Sequence, residues 1–204
     1  MFIGKYNKSV ILTYIGVSLA VTGIYSSFTG NIRYAMLCLV ISGVCDLFDG
    51  MVASRCKRTE EEKLFGVEID SLADMMNFVA LPIAISCGMG LTNLHNMVIY
   101  IIYTLAAISR LAYFNIHTKQ SDTEKPVKYY TGLPVTFAAL IFTSFWLLIF
   151  LLKANIFEVI YSAIMFVMAL LYLLKIKVPK PKGLAYVFLG LLTIVMCCAI
   201  ILIR

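Results

Sequence analysis

Seven apolar runs, each near the length that crosses a bilayer, constrain this chain more than any other feature. They cover roughly 9–28, 33–53, 67–90, 94–116, 132–152, 156–174 and 184–203, and about 20 apolar residues span the hydrocarbon core. Inside lipid the chain must satisfy its own backbone N–H and C=O groups, so such runs are helices. The expected fold is all-α, a polytopic transmembrane helical bundle forming one integral membrane domain over 1–204. Composition agrees, with 61% hydrophobic and only 14% charged residues, far from soluble averages. Turn signals punctuate the runs at Gly30-Asn31, at Thr92-Asn93 after Gly88 and Gly90, and at Pro179 and Pro181 before Gly183.

The basic residues set the orientation. With the N-terminus in the cytoplasm, the inner segments hold Lys5, Lys8, Arg55, Lys57, Arg58, Lys63, Lys119, Lys125, Lys128, Lys175, Lys177, Lys180 and Lys182. The outer segments hold Arg33, Lys153 and Arg204. That asymmetry places the 54–66 loop on the cytoplasmic side. The net charge of +6 then reads as topology and affinity for anionic headgroups, with no nucleic-acid partner expected.

Several function classes find no support. Cys38, Cys45, Cys56, Cys87, Cys197 and Cys198 form no Cys-x-x-Cys pair, and most read as small packing residues in apolar runs. His95 and His117 have no companion at ligand spacing. No P-loop or dinucleotide fingerprint occurs. Lys5 and Lys8 precede a run too long for a signal peptide, and no Ala-x-Ala follows it, so that run is expected to remain as the first span.

Four of the five aspartates gather in one short stretch. Asp46, Asp49, Gly50 and Ala53 follow an i, i+3, i+4, i+7 pattern and share one helix face. Gly66, Asp70 and Asp74 recur every four residues on the next span. Antiparallel packing of the two spans brings both acidic faces together at the inner surface. Carboxylates sharing a cavity repel one another, and ionised groups at membrane depth are costly. A divalent cation with oxygen ligands, Mg²⁺ or Mn²⁺, relieves both and makes a seat for phosphate oxygens. Gly50 and Ala53 either let a ligand approach the helix or serve helix packing.

The pattern Asp46-x-x-Asp49-Gly50-x-x-Ala53, then Gly66-x-x-x-Asp70-x-x-x-Asp74, resembles the signature of the CDP-alcohol phosphatidyltransferases. The resemblance implies a six-helix membrane core, here with one extra helix. It implies transfer of a phosphatidyl group from CDP-diacylglycerol to an alcohol, with release of CMP. On that basis Asp46, Asp49 and Asp70 bind metal, and Asp74 shares the metal and acts as the base, or orients the acceptor instead. Gly50 and Ala53 line the cytidine site, and Gly66 lets the diphosphate approach. The family usually has Arg after the Ala; here Ser54 stands there and Arg55 follows. Arg55 either replaces that arginine or joins Lys57 and Arg58 as a surface anchor. Homodimers are common in the family, and the third and fourth spans are the expected pairing surface.

Three further segments resemble the phosphatidylserine synthase branch: Asp70-Ser71-Leu72-Ala73-Asp74, the stretch from Arg110 to Asn115, and Thr131-Gly132-Leu133-Pro134. Two positions depart from it. Tyr113 stands where the branch has a second Arg, and Asn77-Phe78-Val79 where it has Ser-Phe-Gly. Arg110 lies well inside an apolar run and calls for a partner or a function. Its fork can hold a carboxylate or a phosphate. L-serine is therefore the expected acceptor, bound by Arg110. Glycerol-3-phosphate or inositol phosphate is the alternative within the same chemistry. A cation- or proton-coupled transporter is the alternative outside it.

Overall fold

The computed structural model describes residues 4–120, 129–179 and 184–202. Lys125, Lys128, Lys180, Lys182, Arg204, Pro181 and Gly183 lie outside these described residues. The chain is an all-α bundle, and five of its helical segments are long and apolar enough to cross a membrane. Segments of that length and composition are those of an integral membrane protein.

A short 3-10 turn, Lys8–Val10, leads into α1 (Ile11–Phe28), its start capped by the Asn7 side chain, which accepts from Ser9 N. Asn7 also donates to the Lys57 carbonyl at 3.1 Å. Lys5 bridges to Glu61 at 2.8 Å, a hydrogen bond that holds the lysine above its ordinary pKa. The pair is exposed and contributes little to stability, but it ties the N-terminal stretch to the 54–66 segment. After the Gly30 turn, at φ +80°, α2 (Ile32–Arg55) runs back along α1. Gly23 permits the close approach, because a Cβ there would meet Cys38 Cβ at 3.0 Å and Leu81 Cδ1 at 2.7 Å.

The third span begins earlier than its apolar run. α3 (Glu60–Met75) starts at a capping box in which Thr59 and Glu62 satisfy each other's backbone N–H. Glu60, Glu61 and Glu62 favour that positive helix end. A π-helical segment, Met76–Ala80, then joins α3 to α4 (Leu81–Gly88). Pro82 explains the irregularity, since it has no N–H to continue the ladder.

α5 (Leu94–Gln120) forms the fourth span, followed by β1 (Tyr129–Thr131), α6 (Phe137–Trp146), α7 (Ala154–Leu173), β2 (Lys177–Pro179) and α8 (Leu184–Leu202). The strands pair antiparallel, with Tyr130 opposite Val178, and Gly132 N donates to the Ile176 carbonyl at 2.7 Å. The two connections thus clip together, which the apolar runs do not reveal. The clip also corrects the fifth span, which was expected to be helical from 132. Its helix begins at Phe137, so Pro134 precedes the helix instead of occupying its first turn. The apolar helix there, Phe137–Phe150, is roughly 22 Å long against about 30 Å of hydrocarbon. Non-helical backbone at membrane depth is tolerated where it lines a polar cavity, and Pro134, Val135 and Thr136 do line one. The last apolar segment, Phe188–Leu202, is also short.

A cluster of large, fully buried side chains lies among the third span, α5, α6 and α7. Phe78, Tyr103, Phe142, Tyr161 and Met165 are fully buried there. The Phe142 ring stands edge-on to Tyr103 at 5.8 Å between centroids. Ser162 donates to Asn96 at 2.6 Å, a buried polar clasp between α7 and α5.

Candidate active site

α2 ends at Arg55 and α3 begins at Glu60, so the two aspartate pairs flank one tight connection at one end of the bundle. α3 packs mainly on α1 and α5, which leaves a space between the acidic faces of α2 and α3. Gly43 closes the α2 side of that space against α6: a Cβ at 43 would stand 2.9 Å from Ala139 Cβ.

The resulting cavity, about 290 Å³, is lined by Asp46, Asp49 and Gly50 of α2, Asp70 and Asp74 of α3, and Arg110 of α5. Asp46, Asp49 and Asp70 each present a carboxylate oxygen within 4.8 Å of the others. Asp49 is only 8% exposed and accepts a hydrogen bond from Thr13 Oγ1 at 3.1 Å. Asp74 is 7% exposed, and its Oδ1 is buried without a hydrogen-bond partner. Arg110 is 8% exposed, with its guanidinium carbon 5.3 Å from the Phe114 ring centre, within cation–π range.

Four carboxylates therefore face one guanidinium, the single basic group among the described lining residues. Such a donor set fits a hard divalent cation. Bonds of about 2.0–2.6 Å to oxygen would close the Asp46, Asp49 and Asp70 set with small side-chain rotations, and the unpartnered Asp74 oxygen offers a further acceptor beside it.

The remaining expected site residues are distributed differently. A Cβ on Gly50 would meet nothing within 4 Å, so this glycine packs no helix and leaves open space at the cavity rim. Ala53 is half-buried and outside the lining. Arg55 is exposed at the end of α2. Ser54 is exposed as well and donates to the Met51 carbonyl at 2.8 Å. Gly66 is half-buried outside the lining, and the group nearest to it is Arg58, whose Nη1 lies 3.7 Å from a Cβ placed there. Arg58 is half-buried where Arg55 is exposed, and the guanidinium beside Gly66 is that of Arg58 in the loop.

Two residues of the site, Thr13 and Val178, went unnoticed in the sequence, and Asn115 was marked only as the end of a resembling stretch. Thr13 is one hydroxyl in an apolar run, with no motif to mark it. Val178 reaches the cavity from β2, across a long-range strand pairing. Asn115 accepts from Ser71 at 3.0 Å and so ties α5 to the acidic face of α3.

A family model described as CDP-alcohol phosphatidyltransferase matches residues 6–203. The chain is 34% identical over 116 residues to a CDP-diacylglycerol–serine O-phosphatidyltransferase of Saccharomyces cerevisiae, covering 53% of this chain and 41% of that protein. It is 26% identical over 174 residues to an archaetidylserine synthase of Methanothermobacter thermautotrophicus, covering 85% and 70%. It is 29% identical over 119 residues to a CDP-diacylglycerol–serine O-phosphatidyltransferase of Bacillus subtilis, covering 57% and 62%. The matched region is thus less than half of the yeast relative's length.

Proposed function

The chain belongs to the CDP-alcohol phosphatidyltransferase family, and from that premise we propose that it transfers the phosphatidyl group of CDP-diacylglycerol to L-serine, releasing CMP. The observation that carries this reading is the convergence of Asp46, Asp49, Asp70, Asp74 and Arg110 on one cavity at one end of the bundle. Serine is favoured as acceptor because relatives named for that acceptor recur among the matches.

The lipid substrate keeps its acyl chains in the bilayer and places its diphosphate in the cavity, whose apolar wall continues along Val40, Val44 and Leu140. Gly50 leaves room at the rim for the cytidine end, with Ala53 one turn further on. Arg58 and Arg55 sit on the loop side, and Gly66 lets the diphosphate pass close to α3. Asp46, Asp49 and Asp70 hold Mg²⁺ or Mn²⁺, with Asp74 adjoining. When bound, that cation offsets the diphosphate charge and the charge gathering on the departing CMP.

Serine's hydroxyl is a weak nucleophile at neutral pH and needs a base. Asp74 is the base in this reading: buried, at the cavity, with one oxygen unengaged. It takes the hydroxyl proton as the serine oxygen bonds to the β-phosphorus and the bond from that phosphorus to the CMP oxygen breaks. Arg110 holds the acceptor's carboxylate. Direct displacement of this kind inverts configuration at phosphorus, and net retention with a chiral phosphorothioate substrate would point to a covalent intermediate.

The cytoplasmic placement of the N-terminus and of the 54–66 loop belongs to the same reading, supported by the distribution of Lys and Arg. A homodimer across the third and fourth spans belongs to it too, supported by the family resemblance alone.

The deciding experiment is CMP release from CDP-diacylglycerol by the purified chain, with serine, glycerol-3-phosphate or inositol phosphate, in the presence and absence of Mg²⁺ or Mn²⁺. Serine-dependent, metal-dependent release is expected. Release with a phosphorylated acceptor alone would replace serine. Unchanged release from Asp74→Asn would remove Asp74 from the chemistry.

A further inference from the structure

A second cavity, about 200 Å³, shares Arg110 with the first but has none of the four aspartates in its lining. Its walls include Ser109 and Tyr113 of α5, Gly132 after β1, and Tyr172 and Lys175 at the end of α7. Two cations and no carboxylate among the described lining residues make this a place for an anion.

The position of Lys175 is built rather than incidental. α7 stops at Leu173, and Leu174 turns extended, with φ −76° and ψ 134°. Ile176 N then donates to the Leu174 carbonyl at 2.8 Å, and the Ile176 carbonyl accepts from Gly132 N at 2.7 Å. These two bonds hold the backbone on either side of Lys175. Gly132 itself sits at φ +83°, and a Cβ there would lie 3.4 Å from the Tyr172 carbonyl and 3.5 Å from that of Leu174. Its positive φ, which other residues rarely adopt, lets the chain turn out of β1 beside the segment that places Lys175 at the cavity lined by Arg110.

We propose that Lys175 is a specificity-determining residue, which together with Arg110 holds the acceptor's carboxylate in this second cavity. The proposal rests on the transferase reading above. Arg110 stands on the boundary between the cavities, so an amino acid anchored there directs its short hydroxyl arm towards Asp74 and the diphosphate. Acceptors without an anionic group, such as an amino alcohol, gain nothing from the lysine. An interfacial anchor, by contrast, has no means of telling one acceptor from another.

The test compares the full-length wild-type chain, Lys175→Met and Lys175→Arg in one detergent or vesicle preparation. The acceptors are L-serine and serinol, which keeps the amine and hydroxyl but has no carboxylate. Lys175→Met is expected to raise the KM for serine about tenfold, the scale of one hydrogen bond to a charged group. Serinol turnover and the KM for CDP-diacylglycerol should stay at wild-type values, and Lys175→Arg should recover most of the serine effect. A wild-type serine KM in an active Lys175→Met overturns the proposal and leaves the transferase reading intact. Parallel losses with serine and serinol overturn it in favour of a structural or anchoring lysine. A wild-type chain that releases CMP with other alcohols but not with serine overturns the acceptor assignment, and this proposal with it.

Discussion

Tyr103 on α5 donates its hydroxyl to the backbone carbonyl of Phe78 at 2.6 Å. Phe78 stands four residues before Pro82, the position whose carbonyl loses its helical donor when proline follows. The tyrosine supplies that donor from a neighbouring span. Tyr172 on α7 lies 3.2 Å from the same hydroxyl and 3.4 Å from the Val135 carbonyl. One buried chain of polar contacts therefore ties the π-helical segment below Asp74 to α5, α7 and the backbone entering α6. Tyr103→Phe is expected to lower stability by about 1–3 kcal/mol, the cost of leaving a buried carbonyl without a donor. A denaturation midpoint in detergent compared with wild type checks this, and an unchanged midpoint would show that water replaces the hydroxyl.

Asp70→Asn should abolish metal-dependent stabilisation as well as turnover. A cation that binds only the folded chain raises stability by about 2.7 kcal/mol at a hundredfold excess over its dissociation constant. Wild-type protein should therefore melt higher with added Mn²⁺ and fall back on chelation, while Asp70→Asn should melt alike in both conditions. Asp74→Asn should retain part of the Mn²⁺ shift yet lose about 10²–10⁴-fold in turnover, the range for a general base. Equal retention of turnover by both variants would contradict the site.

Thr13 is the hydroxyl that orients Asp49. Thr13→Val keeps the shape and removes the donor. The Mn²⁺ concentration for half-maximal CMP release should rise by roughly tenfold, the lower range for groups that orient a metal's ligands, with little change in maximal rate at saturating metal. A fall in maximal rate without a shift in metal dependence would mean that Thr13 acts elsewhere.

Two glycines about two turns apart on one face of α2 should respond differently to alanine. Gly43→Ala drives a methyl to 2.9 Å from Ala139 Cβ, and such overpacking costs about 1–3 kcal/mol. Gly50→Ala meets nothing, so its stability should match wild type while its KM for CDP-diacylglycerol rises. Thermal melts and steady-state kinetics on the pair separate the packing glycine from the ligand-facing one.

The acidic site was legible because a helix repeats every 3.6 residues and because aspartates are scarce in apolar sequence. The spacing of Asp46 with Asp49, and of Asp70 with Asp74, needed no partner to interpret. The early start of α3 was also written locally, in Thr59 and Glu62, but an apolar-run criterion passes over a polar capping box. The delayed start of α6 was not written locally at all. Residues 129–131 become a strand only because 177–179 lie opposite, and no window around Pro134 contains that information. The same holds for Thr13, whose meaning depends on Asp49 arriving from another helix, and for Lys175, which shares a cavity with Arg110 because of the clip.

The strand clip has one further consequence, for the order in which the protein becomes competent during synthesis. Both acidic pairs and Arg110 leave the ribosome well before β2, which contributes Val178 to the wall of the first cavity and holds Lys175 at the second. A nascent chain stalled within α7 has its carboxylates and the α6 wall but lacks Val178 of β2 and Leu189 and Thr193 of α8. Completion of the cavity wall therefore waits for β2 and α8, so an intermediate stalled before them has an unfinished pocket.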